Sequence, residues 1–532
     1  MMQKPISAAD VKHASVVGQA TPINVTIVTL DGHMATALDR ARIELLRDLP
    51  GLRLTLHATT EFADDEGAKA RCIADIQRAD IIIAHMMFME DQVNLIAPLL
   101  QARRDDCDCI VGCLAAGEIV KMTKLGEFDM AKPTSGVMGM LKKLRGGNSK
   151  KPGAGGKGQM RMLRALPGIL KFIPGKAQDV RAYFMVLQYL LAASDDNIVN
   201  LVRFLVGRYA SGPRLELRKA VSEREPVHYP EVGLYHRALP NQVTDDLSVY
   251  TKAADFKSGG TVGLLVMRSY VLANNTAHYD GVVKALEAQG LNVITAYASG
   301  LDGRPAIEKF FMKDGKARVD CVMSLTGFSL VGGPAYNDAS AAEEILAKLD
   351  VPYLSAFASE FQSLQKWGAN EQGLTPVETT IMVSLPEIDG ATGPILFGGR
   401  NDGSGACTGC HRNCTFENTI DARDMQSCVE RAEMLAARMA KIVALRRTPV
   451  AERRVATVLY NFPPNGGATG TAAYLGVFES LLNTLRAMQA EGYTVDVPES
   501  VDALREAILE GDANTFGQAA NIGARVHVDT HV

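Results

Sequence analysis

Three short apolar runs rich in β-branched residues constrain this chain most: NVTIVTL (24–30), TVGLLVM (261–267) and RVATVLY (454–460). Runs of this kind, without polar alternation, mark strands covered on both faces, as in parallel sheets. After the first run, helix and strand patterns alternate: helix 35–46, strand 52–57, helix 68–78, strand 80–84, helix 91–102 and strand 109–113. The second run opens a like series, with helix 277–289, strand 292–296, helix 304–313, strand 319–325, helix 339–348 and strand 351–354; residues 395–397 supply a closing strand. The third predicts a buried strand at 455–460, then the turn Pro463-Pro464-Asn465-Gly466-Gly467 and a helix from near Thr469. The expected fold class is therefore α/β: several Rossmann-like or flavodoxin-like parallel-sheet units, with an inserted helical and flexible segment.

That pattern divides the chain into five stretches. Residues 1–135 form an N-terminal α/β domain and 136–180 a basic, glycine-rich flexible linker. Residues 181–257 form a helical connecting region, broken near Asp195. Residues 258–450 form a second α/β domain with a cysteine-rich loop, and 451–532 begin a third unit that reads as truncated. At 532 residues, one core does not suffice. A hydrophobic fraction of 47% with 22% charged residues is that of a globular protein, and a net charge of −4 argues against a general nucleic-acid binder. Nine cysteines without a leader-like apolar segment favour a reducing cytoplasm. The helix at 182–194 is too short to span a bilayer. The basic stretch 142–176 allows at most peripheral contact with acidic lipid or a partner; a solvated linker is the default reading. Its GAGGKG is not a phosphate-binding loop, because Lys157 is followed by Gly158 rather than Ser or Thr.

Two groups of residues carry chemistry. Cys407, Cys410 and Cys414, with Cys428 farther on, have spacings that can converge on an iron–sulfur cluster or another soft metal, with His411 as a further donor. Reduced loop thiols are the structural alternative, and Cys107, Cys109 and Cys113 read as core. The second group is at strand ends. His33 and His85 read as loop histidines or ligands, and Met86, Met87, Phe88 and Met89 as core or as the lining of a flat apolar site. Gly332-Gly333-Pro334 is a turn or an anion-binding turn, and the Gly466-Gly467 backbone suits an anion or simply a tight connection. Trp367 reads as core.

Four collinear stretches carry a resemblance: ADIIIAHMMFMEDQVNLIAPLLQARRDDCD (79–108), RSYVLANNTAHYDGVVKALEAQGLNVI (268–294), GGPAYNDASAAEEILAKLDVPYL (332–354) and FPPNGGATGTAAYLGVFESLLNTLRAMQAEGY (462–493). Together they resemble the large, porphyrin-binding H subunit of magnesium chelatase, of the bacteriochlorophyll-synthesising type, and the related cobaltochelatase large subunit. The resemblance implies protoporphyrin IX and Mg²⁺ as substrates, and ATP hydrolysed on AAA+ partner subunits alongside an integrin-like subunit. It also implies a protein more than twice this long, so the chain reads as an N-terminal portion, inactive alone, with metal-inserting residues beyond 532. Arg268, Arg400 and the Gly466-Gly467 backbone are then candidates for the propionates. His278 is a candidate proton acceptor or axial ligand, and Tyr279 a stacking partner. The rivals are a cobaltochelatase large subunit acting on a corrin precursor, and a non-catalytic tetrapyrrole-binding or iron–sulfur redox-sensing module.

Overall fold

The computed structural model describes residues 20–30, 32–62, 65–132, 166–333, 337–401, 407, 409–411, 424–459 and 468–510. The chain forms two compact units, Met1–Ala440 and Lys441–Val532.

In the first unit, β1 (Ile23–Thr29), β2 (Leu52–Ala58), β3 (Ile81–His85) and β4 (Cys109–Cys113) run parallel. A hairpin of β5 (Lys124–Leu125) and β6 (Phe128–Asp129) extends the sheet, giving the order β2-β1-β3-β4-β5-β6. Both faces are covered, as the unalternated apolar runs demand. Ile23, Val25 and Ile27 pack with the helix Ala35–Leu45 and the helix pair Lys176–Leu191 and Asp195–Tyr209. Val28, Ile82 and Ile110 face the helices Glu66–Arg78 and Glu90–Arg103. Ser194 separates the helix pair: its side chain accepts from the Asn197 N–H and caps the second helix.

The second sheet begins with β7 (Val232–Tyr235), β8 (Val243–Thr244), β9 (Thr261–Leu265) and β10 (Asn292–Ala298). A separate two-stranded ribbon follows, joining β11 (Met312–Lys313) and β12 (Lys316–Ala317). The sheet is completed by β13 (Cys321–Ser324), β14 (Tyr353–Ser363), β15 (Thr392–Arg400) and β16 (Met425–Ser427). Its order is β16-β15-β14-β13-β9-β10-β7-β8; β10, β9, β13, β14 and β15 are parallel, with antiparallel strands at both margins. The fold is α/β, built from parallel-sheet units. The helix expected at 304–313 is shorter, ending in a π turn at Phe311.

The two sheets are fastened directly. Arg40 donates to Asp195 at 2.8 Å and to the Ala273 carbonyl at 2.8 Å, and Ala273 lies in the first sheet's core.

In the second unit the sequence expectation fails. Residues 455–459 form no strand: Val455 is 57% and Val458 88% exposed. A parallel strand needs neighbours for its N–H and C=O groups and cover for both faces. Among the described residues of this unit none supplies a neighbour. The following helix starts at Val477 rather than near Thr469, because Gly470 and Tyr474 take left-handed φ values of 74° and 63°. It packs with the helix Val501–Glu510.

Candidate tetrapyrrole-sized cavity

In each sheet the chain order reverses direction at one parallel strand, β1 in the first and β9 in the second. In the first sheet β2 lies on one side of β1 and β3 on the other; in the second, β10 and β13 flank β9 in the same way. Beyond the strand C-termini at such a switch point the loops part, leaving a crevice that suits a ligand. Both crevices open into one cavity of about 1310 Å³. His33 and His85 contribute from the first sheet, and Met267, Tyr270, His278 and Thr326 from the second. Ordinary small-molecule pockets measure roughly 300–1,000 Å³, so this cavity suits a large ligand.

A buried aromatic series lies in and behind its wall. The His33 and Tyr270 rings are 5.8 Å apart, Tyr270 meets His278 edge-on at 5.4 Å, and His278 lies parallel to Phe397 at 6.0 Å. The Tyr270 hydroxyl donates to Glu360 at 2.6 Å. Tyr279 is 1% exposed and its hydroxyl accepts from the Met267 N–H at 3.2 Å, which fixes the first turn after β9. His278 is equally buried, at 1%. Burial pushes its pKa down to about 3, so the ring is neutral near pH 7. Its Nδ1 has no hydrogen-bond partner among the described residues.

Exposed apolar side chains stand at its rim beside the charged side chains of Asp65, Arg71 and Lys366. Phe88 is 57% exposed and Leu114 37%, and Leu301 and Phe361 face the cavity from the second sheet with similar exposure. Met86 and Leu114, each following a strand of the first sheet, hold left-handed φ values of 56° and 47°. For branched or bulky side chains that conformation costs roughly 1–2 kcal/mol, and such strain gathers at ligand sites.

Of the residues singled out from sequence, Arg268, His278, Tyr279 and Arg400 all border this cavity, together with His33, His85, Met86 and Phe88. Arg268 is committed elsewhere. It donates to the carbonyls of Pro230 at 3.0 Å, Leu191 at 3.1 Å and Tyr229 at 3.3 Å, fastening those segments to the start of the second sheet. Arg400 ends β15, and its Nε has no hydrogen-bond partner among the described residues. Gly466 and Gly467 lie outside the described residues. Sequence reasoning did not select Tyr270, Glu360 or Thr326, although Thr326 follows β13 more closely than His33 follows β1.

The described cysteines Cys407, Cys410 and Cys428 do not line this cavity. Cys407 is buried, with its thiol donating to the Leu364 carbonyl at 3.5 Å, and Cys428 is buried with its N–H bonded to the Phe397 carbonyl. Cys410 is half-buried, and Cys414 lies outside the described residues. Among the described residues no three His, Cys, Asp or Glu side chains gather to hold a metal, so the three described cysteines do not by themselves make a cluster site. Trp367 is half-buried and packs against the core cluster of Phe357, Leu364 and Leu396, with the Arg431 guanidinium stacked 4.4 Å from its ring centre. At Gly332 the backbone makes a plain turn, its N–H bonded to the Leu301 carbonyl. No described helix is long and apolar enough to cross a membrane.

Comparison with known proteins assigns the chain to a family. Residues 187–531 match CobN/Magnesium Chelatase, and residues 24–184 match a domain of unknown function (DUF3479). The chain is 51% identical to the magnesium-chelatase H subunit of Cereibacter sphaeroides over 97% of its own length and 43% of that protein. It is 48% identical to the corresponding protein of Rhodobacter capsulatus over 94% of its length and 42% of that protein. It is also 32% identical to the aerobic cobaltochelatase CobN protein of Pseudomonas aeruginosa, over 55% of this chain and 22% of that one. Its fold is similar to that of the catalytic subunit of cobaltochelatase from Mycobacterium tuberculosis, with a TM-score of 0.51 at 17% identity, covering 92% of this chain and 33% of that one. The chain thus spans less than half the length of these relatives. It belongs to the CobN/magnesium chelatase family.

Proposed function

We propose that this chain forms the porphyrin-receiving part of a magnesium chelatase large subunit, which binds protoporphyrin IX for ATP-dependent Mg²⁺ insertion in (bacterio)chlorophyll synthesis. The observation carrying this reading is the cavity of about 1310 Å³, set at two switch points and rimmed by exposed apolar side chains. A flat macrocycle slides between Phe88 and Leu114 on one side and Leu301 and Phe361 on the other. Arg400 takes a propionate through charge-assisted hydrogen bonds. Arg268 acts indirectly, by holding the wall. Mg²⁺ enters as substrate and dehydrates reluctantly; AAA+ and integrin-like partner subunits meet that cost with ATP in the complete complex, and the five-stretch organisation inferred above is the frame in which they dock. The protein carries out this work in the cytoplasm.

Titration of the chain with protoporphyrin IX, followed by quenching of porphyrin or tyrosine fluorescence, tests the reading. Saturable one-to-one binding is expected, with weaker binding of a metal-free corrin. Preference for the corrin moves the chain to the cobaltochelatase side of the family, and absence of binding to either macrocycle overturns the proposal. The iron–sulfur reading of Cys407, Cys410, Cys414 and Cys428 has its own test. Anaerobically purified protein that contains iron and sulfide, lost on Cys410→Ser, would establish it; metal-free protein would end it.

A further inference from the structure

We propose that the turn at 168–175, on which Ile169, Phe172 and Ile173 are exposed, is a docking surface for an anionic lipid bilayer: Phe172 inserts among the lipids while nearby cations meet the headgroups. This surface is separate from the cavity, so the proposal does not rest on the tetrapyrrole reading.

The turn has a fixed shape. Ile173 donates its N–H to the Leu170 carbonyl at 3.1 Å. The side-chain amide nitrogen of Gln178 bridges the carbonyls of Leu170 at 2.9 Å, Lys171 at 3.2 Å and Ile173 at 2.6 Å. Leu170 packs inward against the first sheet's core. The same geometry leaves Ile169, Phe172 and Ile173 outside, with Phe172 86% exposed. Apolar side chains held outward forgo the hydrophobic gain of burial. Scattered singly they need no explanation, but three on one clamped turn mark a place of contact. None of the three borders the cavity.

Charge selects the occupant. From 130 to 178 the sequence carries eleven Lys and Arg residues and no Asp or Glu, although the whole chain has a net charge of −4. Lys171 and Lys176 belong to the described part of this stretch; Lys171 pairs with Glu225 at 3.7 Å, as does Arg181 at 3.0 Å. So concentrated a positive charge is drawn to an anionic membrane surface. A basic cluster or an apolar insertion alone gives weak attachment, whereas the two together hold. A bilayer also accepts a projecting ring without a preformed pocket, which a protein partner would have to supply. The helix Lys176–Leu191 starts at the turn, and its last residues, Leu187, Leu190 and Leu191, border the cavity. At 1.5 Å per residue this helix is about 24 Å long, so lipid contact at one end leaves the cavity at the other end open.

The test uses the full chain with vesicles of phosphatidylcholine alone, or of phosphatidylcholine mixed with an equal part of phosphatidylglycerol, separated by flotation. Binding to the mixed vesicles is expected, weakening as added salt screens the attraction. Neutral vesicles should bind at least about tenfold less. Phe172→Asp should weaken binding to the mixed vesicles by about tenfold or more, equivalent to at least about 1.4 kcal/mol. Its urea midpoint should not move, because the exposed ring supports no packing. Phe172→Trp reads insertion directly: lipid brominated on its chains should quench the new indole, whereas the chain's one natural tryptophan, Trp367, should stay unquenched in the unaltered protein. Failure to float with the mixed vesicles overturns the proposal and leaves an acidic protein face as the occupant. Equal binding to both kinds of vesicle overturns it too, since charge would then select nothing. Undiminished binding by Phe172→Asp, or an unquenched Phe172→Trp, means attachment by charge alone and removes the turn from it. Porphyrin titration of the same proteins is scored separately, so the tetrapyrrole reading stands or falls by itself.

Discussion

The Asn275 side chain donates from Nδ2 to the His33 backbone carbonyl at 3.2 Å, across the line where the two sheets meet. Its Oδ1 accepts from the Met425 N–H at 2.8 Å, so one buried amide ties the end of β1 to the margin strand of the other sheet. Asn275→Ala removes both of these buried bonds at the cavity wall. A loss of about 1–3 kcal/mol is expected, measured by urea unfolding, together with weaker porphyrin binding. Unchanged binding with lowered stability would show that the clamp serves the fold alone.

Gly112 in β4 has no room for a side chain. A Cβ there would come within 2.2 Å of the Ile119 carbonyl oxygen. Both its N–H and its C=O are bonded to the Thr123 hydroxyl, so the backbone cannot move aside without breaking those bonds. Gly112→Ala should destabilise the first sheet by about 1–3 kcal/mol, as overpacking commonly does. Thermal or urea unfolding checks this.

Arg400→Met keeps most of the side-chain volume and removes the charge. Porphyrin carrying free propionates should bind about tenfold or more weakly, corresponding to loss of a charge-assisted bond of roughly 1.5–3 kcal/mol. The dimethyl ester should bind both proteins alike. Equal loss for acid and ester would mean that Arg400 packs rather than pairs.

Asp75 is buried and accepts from Arg53 at 2.8 Å, Arg78 at 2.8 Å and His57 at 3.0 Å. Burial pushes its carboxyl upward, but the bonds from Arg78 and His57 and the charge of Arg53 outweigh this and hold it below the usual range. A carboxyl lowered on folding contributes stability at neutral pH and loses it as pH falls from the ordinary value of 3.8 through the folded one. Asp75→Asn should therefore be less stable than the unaltered protein at neutral pH, with the gap narrowing below that value. Urea midpoints measured across this range decide it; a constant gap would show that charge is not the cause.

Strands β1, β3, β4 and β9 were legible because Ile, Val and Thr runs leave few alternatives, and the helices between them followed from apolar spacing. The short antiparallel strands β5 to β8 and β16 were not, since two to four residues carry no period. Residues 455–459 show the reverse error: a strand-like sequence does not pair without a neighbouring strand. The cavity was legible in parts only. His33, His85, His278 and Arg400 could each be placed at strand or helix ends, but their meeting depends on how two sheets distant in sequence are set together. The role of Arg268 was hidden for the same reason, because its partners are backbone carbonyls 38, 39 and 77 residues away.

The short margins of the second sheet, β8 with two residues and β16 with three, limit what can be added at its edges. Neither offers the long open ladder that strand addition requires. A protein docking on this sheet must read loops and helix faces, so the contacts that recruit it will be side-chain mosaics sensitive to single substitutions, not backbone pairing indifferent to them.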